Sequence, residues 1–283
     1  VADKAMNIAL WRALGFDSGG GMPSLSEASK VSECVLEMGH IFRKHERSNL
    51  VVDMTSLTLP EAYEVQAGFL AGRVKDGAKI AGWKVGCTSA AIRSQFRLSQ
   101  PISGRLLEPD IFSNGALLHA SHYLDCAVEP ELVVRLGTDL SGELDDEQII
   151  RAIAGVSVGI ELHNYRFWYG EPTSQELIAS NGLHAGLVIG PEQSWPQNGD
   201  LNPEAVAILV NGVVKASGKC SEIMGGPLKS VRWLARHCSQ RGSRLRAGEL
   251  IIPGSAVELV RVSAGDAIEA QFASLGSCHA RMI

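Results

Sequence analysis

The stretch Cys126–Leu136 (CAVEPELVVRL) constrains the fold of this chain more than any other. Its side chains alternate between two characters, as on an extended strand. Val128, Pro130, Leu132, Val134 and Leu136 share one apolar face, while Glu129 and Glu131 project together from the other. Pro130 cannot donate to a ladder, so the strand is expected at a sheet edge or a bulge. Carboxylates at i and i+2 sit roughly 6.5–7 Å apart along a strand and can converge on one ion. Without a cation they would repel, and one would tend to take up a proton. Spacing alone leaves a second reading open, a solvated strand face carrying two acids.

A second strand adds to the first. Val156-Ser157-Val158-Gly159-Ile160-Glu161-Leu162 alternates cleanly, with the branched residues on the core face and Ser157, Gly159 and Glu161 on the other. Small residues beside Glu161 are expected to leave room for an ion or ligand. Ligation by carboxylate oxygens suits a hard cation, Mg²⁺ or Mn²⁺, with Ca²⁺ also compatible. His163 shares the face of Glu161. It is a candidate ligand, but a supporting or packing role is the preferred reading.

Further β-type segments are expected at Ile80–Cys87, Leu187–Ile189, Val206–Val210, Leu250–Ile252 and Ala267–Ala273. Asn211-Gly212 between apolar runs signals a hairpin. Helices are expected at Ser24–Arg47, Leu59–Val74 and Pro227–Arg241, with Gly242 ending the last. Strands outnumber helices without regular alternation, which favours an α+β fold with a mixed β-rich core over a doubly wound sheet. Residues 1–50 read as an N-terminal helical arm or lid, with Arg43–Arg47 as a solvated charged end, and residues 51–283 as the catalytic β-rich domain. The formal net charge of -5 argues against a nucleic-acid or anionic-membrane surface. The chain has no apolar run of the ~20 residues a membrane helix needs and no leader-like N-terminal stretch. The six scattered cysteines contain no C-x-x-C pair and read as free, mostly packing thiols in a reducing compartment. A cytoplasmic location is therefore expected.

Gly82-Trp83-Lys84-Val85-Gly86-Cys87-Thr88-Ser89 is a strand running into a turn. Lys84 shares a face with Gly82 and Gly86, so its amine is expected to lie across bare backbone; a solvent-facing lysine is the alternative. Ser89 can cap a helix starting at Ala90, and free N–H groups at a helix start attract carboxylates. Thr88 and Ser89 are thus candidate anchors for an acidic substrate. The small-residue turn Pro253-Gly254-Ser255 offers a similar place at Ser255, or a plain loop.

Together these motifs resemble the fumarylacetoacetate hydrolase superfamily, and within it the 2-keto-4-pentenoate hydratase and 4-oxalocrotonate decarboxylase branch. The likeness runs from about Leu59 to the C-terminus. Leu59–Gln66 is similar to the family's opening helix, and Gly82–Ser89 to its G-R-K-[IV]-G-L-T-S strand. Glu129-Pro130-Glu131 resembles its E-x-E metal pair, and Glu161 stands where the branch has its third ligand. Ser217-Gly218, Gly226-Pro227-Leu228, Leu245–Glu249, Ala264-Gly265-Asp266 and Leu275-Gly276-Ser277 resemble later segments. The ordered set is more specific than any member. The resemblance implies a β-roll, barrel-like core with flanking helices, a Mg²⁺ or Mn²⁺ cofactor, a homo-oligomer, and a substrate contact at Asn181. Two departures stand out. Trp83 replaces the usual arginine, which bears on the far end of the substrate. Ser180-Asn181-Gly182-Leu183 replaces D-N-A-S, with His184 following as a substitute source of polarity.

The resemblance implies a small 2-oxo or 2-hydroxydienoate substrate bound to a cation on Glu129, Glu131 and Glu161, with Lys84 as the proton-handling residue. The expected activity is that of a hydro-lyase, adding water to a 2-hydroxypenta-2,4-dienoate-type substrate in aromatic catabolism to give a 4-hydroxy-2-oxo acid. Decarboxylation of 2-oxo-3-hexenedioate (4-oxalocrotonate) is the first alternative. An acylpyruvate-type C–C hydrolase ranks third, since it needs a water-activating His–Glu pair and His45 and Glu46 would point apart on a helix. A non-enzymatic carboxylate-binding protein ranks last.

Overall fold

The computed structural model describes residues 25–44, 53–168, 170–196 and 199–283. Helix α1 (Leu25–Lys44) packs along α2 (Leu59–Lys75). The sequence of α2 supplies its own start: Thr58 accepts from the Glu61 N–H while the Glu61 carboxylate accepts from the Thr58 N–H, and Pro60 occupies the first turn. Cys34, Met38 and Ile41 of α1 are buried in the same cluster as Val65, Phe69 and Leu70 of α2. Phe42 stacks on Phe69 at 4.3 Å between ring centroids and lies 5.2 Å from Phe167. The described part of the N-terminal arm is therefore docked on the second segment through a shared core. His45 and Glu46, like residues 1–24 of the expected arm, lie outside the described residues.

The remaining strands are β1 (Ile80–Gly86), β2 (Ile102–Leu107), β3 (Ile111–Ser113), β4 (Ala116–Leu118), β5 (Cys126–Leu136), β6 (Ile153–Asn164), β7 (His184–Ile189), β8 (Ala205–Val210), β9 (Val213–Lys219), β10 (Leu250–Ile252), β11 (Val260–Arg261), β12 (Ala267–Phe272) and β13 (Gly276–Met282). Short helices α3 (Ala90–Gln95), α4 (Asp146–Ala152) and α5 (Ser174–Ala179) and the longer α6 (Pro227–Ser239) flank them. One sheet runs β2-β1-β10-β5-β6-β7-β3, with β11 also paired to β5, and curls as a half-barrel; a second runs β4-β13-β12-β8-β9. Pairing is mostly antiparallel, with β1·β10, β3·β7 and β4·β13 parallel. The fold is a mixed α+β architecture, as the segment pattern predicts. The hairpin turn falls at Asn211-Gly212, both residues left-handed.

The core lies between the sheets. Val128, Leu132 and Val134 of β5 and Val158 and Ile160 of β6 meet Val206 and Ile208 of β8, Ile268 and Phe272 of β12, and Met282 of β13. The alternate residues of β5 and β6 face away from this core, toward the site. The edge half of the edge-or-bulge expectation is corrected here: β5 is an interior strand, with β6 on one side and both β10 and β11 on the other, and its register irregularity falls at Arg135/Leu136 rather than at Pro130. On that second side β11 pairs at Ala127–Val128 and β10 at Val134–Arg135. Pro130 falls in the window between them, where a missing N–H interrupts no ladder. All six cysteines are free. No described helix is long and apolar enough to cross a membrane.

Candidate metal centre and active site

Strand register brings the acids together. Glu129 and Glu161 are direct cross-strand partners, and Glu131 faces Gly159. Lys84, on β1, reaches this surface from the side, with its ammonium 2.6 Å from Glu161 Oε1. It also donates to the Gly182 carbonyl at 3.3 Å. The bare backbone that Lys84 crosses is Gly104 rather than Gly82: a Cβ at Gly104 would stand 2.8 Å from Lys84 Cγ. Gly82 is small for another reason, since a Cβ there would fall 1.9 Å from the Leu250 carbonyl oxygen on the parallel neighbour β10. The space beside Gly159 is likewise filled, because Val133 and Leu187 would crowd any added Cβ. The expected clearing beside Glu161 is thus packed with side chains.

Three ligating groups converge within 4.8 Å of one another: Glu129, Glu161 and His163. His163 Nε2 lies 3.3 Å from Glu129 Oε2 and 3.4 Å from Glu161 Oε2. Glu131 stands outside that triad but is only 1% exposed, and neither of its oxygens makes a full hydrogen bond. Burial, then the Glu161 and Glu129 carboxylates, push Glu131 well above the ordinary carboxylate range, with Lys84 and the Gly254 N–H opposing weakly. Burial also opposes ionisation of Glu161, but Lys84, then His163 and His184, hold it well below that range. Burial draws His163 down, but the Glu161 charge and the contacts with Glu129 and Glu161 together outweigh it and lift the imidazole to about 9. His184 donates from Nδ1 to Glu161 Oε1 at 2.7 Å, since a carboxylate can only accept. Burial nonetheless draws its pKa down. A carboxylate buried without a full hydrogen bond beside two more carboxylates is a donor set that a divalent cation fits.

The two small-residue turns meet because β1 and β10 are parallel neighbours. A Cβ on Gly254, whose φ is +109°, would stand 2.5 Å from Thr88 Cγ2. Ser89 Oγ accepts from the Ile92 N–H as the helix cap, and Ser255 Oγ accepts from the Val257 N–H. Arg93 donates to the carbonyls of Cys87 and Thr88 at 3.2 and 2.6 Å. Asn181 has a different geometry from a substrate contact. Its Oδ1 accepts from the Arg105 N–H at 2.7 Å and its Nδ2 donates to the Arg105 carbonyl at 2.9 Å, so both ends of the amide are spent on backbone. Asn181, Gly182 and Leu183 are all left-handed, at φ 58°, 65° and 61°, and this turn presents the Gly182 carbonyl to Lys84. Trp83 points to the opposite side of the sheet from Lys84. Its indole is buried in the intersheet core, donates to Glu249 at 3.2 Å and carries the Arg105 guanidinium 3.1 Å above its ring. Its replacement of arginine therefore falls away from the carboxylate cluster. His163, expected from the sequence in a supporting or packing role, stands in the converging set, and the E-x-H spacing on one strand face is its signal.

The C-terminal domain of fumarylacetoacetate (FAA) hydrolase, as a family model, matches residues 111–283. The chain belongs to this family. It is 30% identical over 224 residues to 4-oxalocrotonate decarboxylase of Pseudomonas sp, covering 78% of this chain and 86% of that protein. It is 28% identical over 222 residues to 2-keto-4-pentenoate hydratase of Paraburkholderia xenovorans (strain LB400), covering 78% and 82%. Among solved structures, 4-oxalocrotonate decarboxylase from Pseudomonas putida G7, complexed with magnesium and adipate, superimposes with a TM-score of 0.86 at 26% identity, covering 93% of this chain and all (100%) of that one. Its relatives thus carry both hydratase and decarboxylase names.

Proposed function

We propose that this chain is a cation-dependent hydratase of 2-hydroxypenta-2,4-dienoate-type acids. The observation that carries the reading is Glu131, a carboxylate 1% exposed and without a full hydrogen bond, set beside Glu129, Glu161 and Lys84. Glu129, Glu131 and Glu161 would hold Mg²⁺ or Mn²⁺, which supplies Lewis acidity at the 2-oxygen of a bound 2-oxo acid. Lys84 lies where it can donate to the substrate carboxylate or 2-oxygen and carry the proton that moves from the 2-hydroxyl to C5 on ketonisation. Its ammonium is held for that task by Glu161 and the Gly182 carbonyl. Water then bonds through oxygen to C4 and leaves a proton at C3, giving 4-hydroxy-2-oxopentanoate. Thr88, Ser89 and Ser255 place the backbone of two turns near the expected carboxylate end. Asn181 acts by fixing the strand under Lys84.

Decarboxylation is the second reading, favoured by the extent of the likeness to the Pseudomonas putida enzyme. The same stabilised 2-oxygen can accept the electron pair left when a C–CO₂ bond breaks. Supplying the protein and Mg²⁺ separately with 2-hydroxypenta-2,4-dienoate and 2-oxohex-3-enedioate distinguishes the two. Hydration of the first substrate is expected. CO₂ from the second without hydration of the first would replace the proposal with the decarboxylase.

A further inference from the structure

The donor set contains a nitrogen that an all-carboxylate site does not need. His163 is 4% exposed, sits on β6 two residues beyond Glu161, and turns Nε2 toward Glu129 and Glu161. Nε2 is paired with both carboxylates, at 3.3 and 3.4 Å, and Nδ1 is buried and unpartnered. A buried imidazole nitrogen aimed between two carboxylates stands where a third ligand of one ion would stand. Adjacent donors around a six-coordinate ion with bonds of about 2.1–2.3 Å lie roughly 3.0–3.3 Å apart. The spacings from Nε2, 3.3 and 3.4 Å, are close to that. The backbone enforces the arrangement, because Glu129 pairs directly with Glu161 and His163 follows on the same face.

We propose that His163 binds the cation directly through Nε2 beside Glu129 and Glu161, and that this nitrogen makes the centre prefer first-row transition ions over Mg²⁺. This rests on the cation site proposed above. Mg²⁺ strongly favours oxygen donors, whereas imidazole suits transition ions. Glu131 then supplies a further oxygen.

The test uses Mn²⁺ as the spin probe on the full chain. Pulsed EPR of the Mn²⁺-loaded protein should show coupling to ¹⁴N, and the pattern should change to that of ¹⁵N when the histidines are labelled. The coupling should survive His184→Gln and vanish in His163→Gln. By calorimetry, His163→Gln should reduce the Mn²⁺-over-Mg²⁺ preference by about tenfold or more. If His163→Gln does not fold, the labelled parent protein and His184→Gln still decide. Mn²⁺ bound with no nitrogen coupling, or coupling retained in His163→Gln, would overturn the histidine ligand while leaving a carboxylate cation site in place. Failure to bind either Mn²⁺ or Mg²⁺ at millimolar concentration would overturn both.

Discussion

Replacing Asn181 by Ala separates two roles for this residue. Its side chain bridges the N–H and carbonyl of Arg105 at 2.7 and 2.9 Å in a site where Asn181 is 3% exposed. Alanine removes the amide partner from both backbone groups, at a cost of about 1–3 kcal/mol each. It must also hold the left-handed φ of 58° that asparagine tolerates better. The sum is about 2–6 kcal/mol, or roughly 5–20 °C in Tm for a domain of this size. The turn that offers the Gly182 carbonyl to Lys84 should loosen with it, so turnover should fall together with stability. Thermal unfolding and steady-state kinetics on one preparation provide the measurement. An unchanged Tm with a raised KM alone would show that Asn181 is a substrate contact and refute its role in bridging the Arg105 backbone.

Other positions give sharper single outcomes. Glu129→Gln should lower metal-dependent turnover by about 100-fold or more while the far-UV spectrum is unchanged. Lys84→Met should cost turnover by about 10²–10⁴-fold yet retain Mn²⁺ binding, measured by calorimetry. Gly82→Ala should prevent folding or cut the soluble yield sharply, because its Cβ would fall 1.9 Å from the Leu250 carbonyl oxygen. His237 is buried against Ser103 and Arg241, and burial, with Arg241, lowers its pKa from 6.5 to about 3. The unfolded chain therefore binds the proton first as pH falls, and stability is lost below about pH 6.5 at up to about 1.4 kcal/mol per pH unit until about pH 3. His237→Asn should flatten that part of the acid limb in denaturant titrations at successive pH values.

The strands that carry the site were legible because alternation is a local property. The bounds read for Cys126–Leu136 and Leu250–Ile252 agree with β5 and β10. Ser89 as a cap, the Asn211-Gly212 turn and the Leu59 helix were legible for the same reason. Strand β2, Ile-Ser-Gly-Arg-Leu-Leu, was missed because it has no alternation: it is buried along its whole length between the α2 side and the sheet core. Pro130 misled because proline reports only that one N–H is absent, whereas the gap between β10 and β11 that accommodates it depends on residues more than a hundred positions away. The direct pairing of Glu129 with Glu161 is a matter of register, which no single strand encodes. For the same reason the choice between Glu131 and His163 as the third converging group was not legible. The glycines misled in another way, since Gly82 and Gly159 mark close packing by Leu250 and Val133 rather than open space.

The proposed activity depends on a divalent cation, held on these side chains, enabling hydration of a dienoic 2-hydroxy acid. It is tested most directly by following 2-hydroxypenta-2,4-dienoate with chelator-stripped protein, before and after adding Mn²⁺ or Mg²⁺, and identifying the product by mass spectrometry. 4-Hydroxy-2-oxopentanoate is expected only after a cation is restored. Hydration at the same rate in chelator, or no hydration with either cation present, would contradict it.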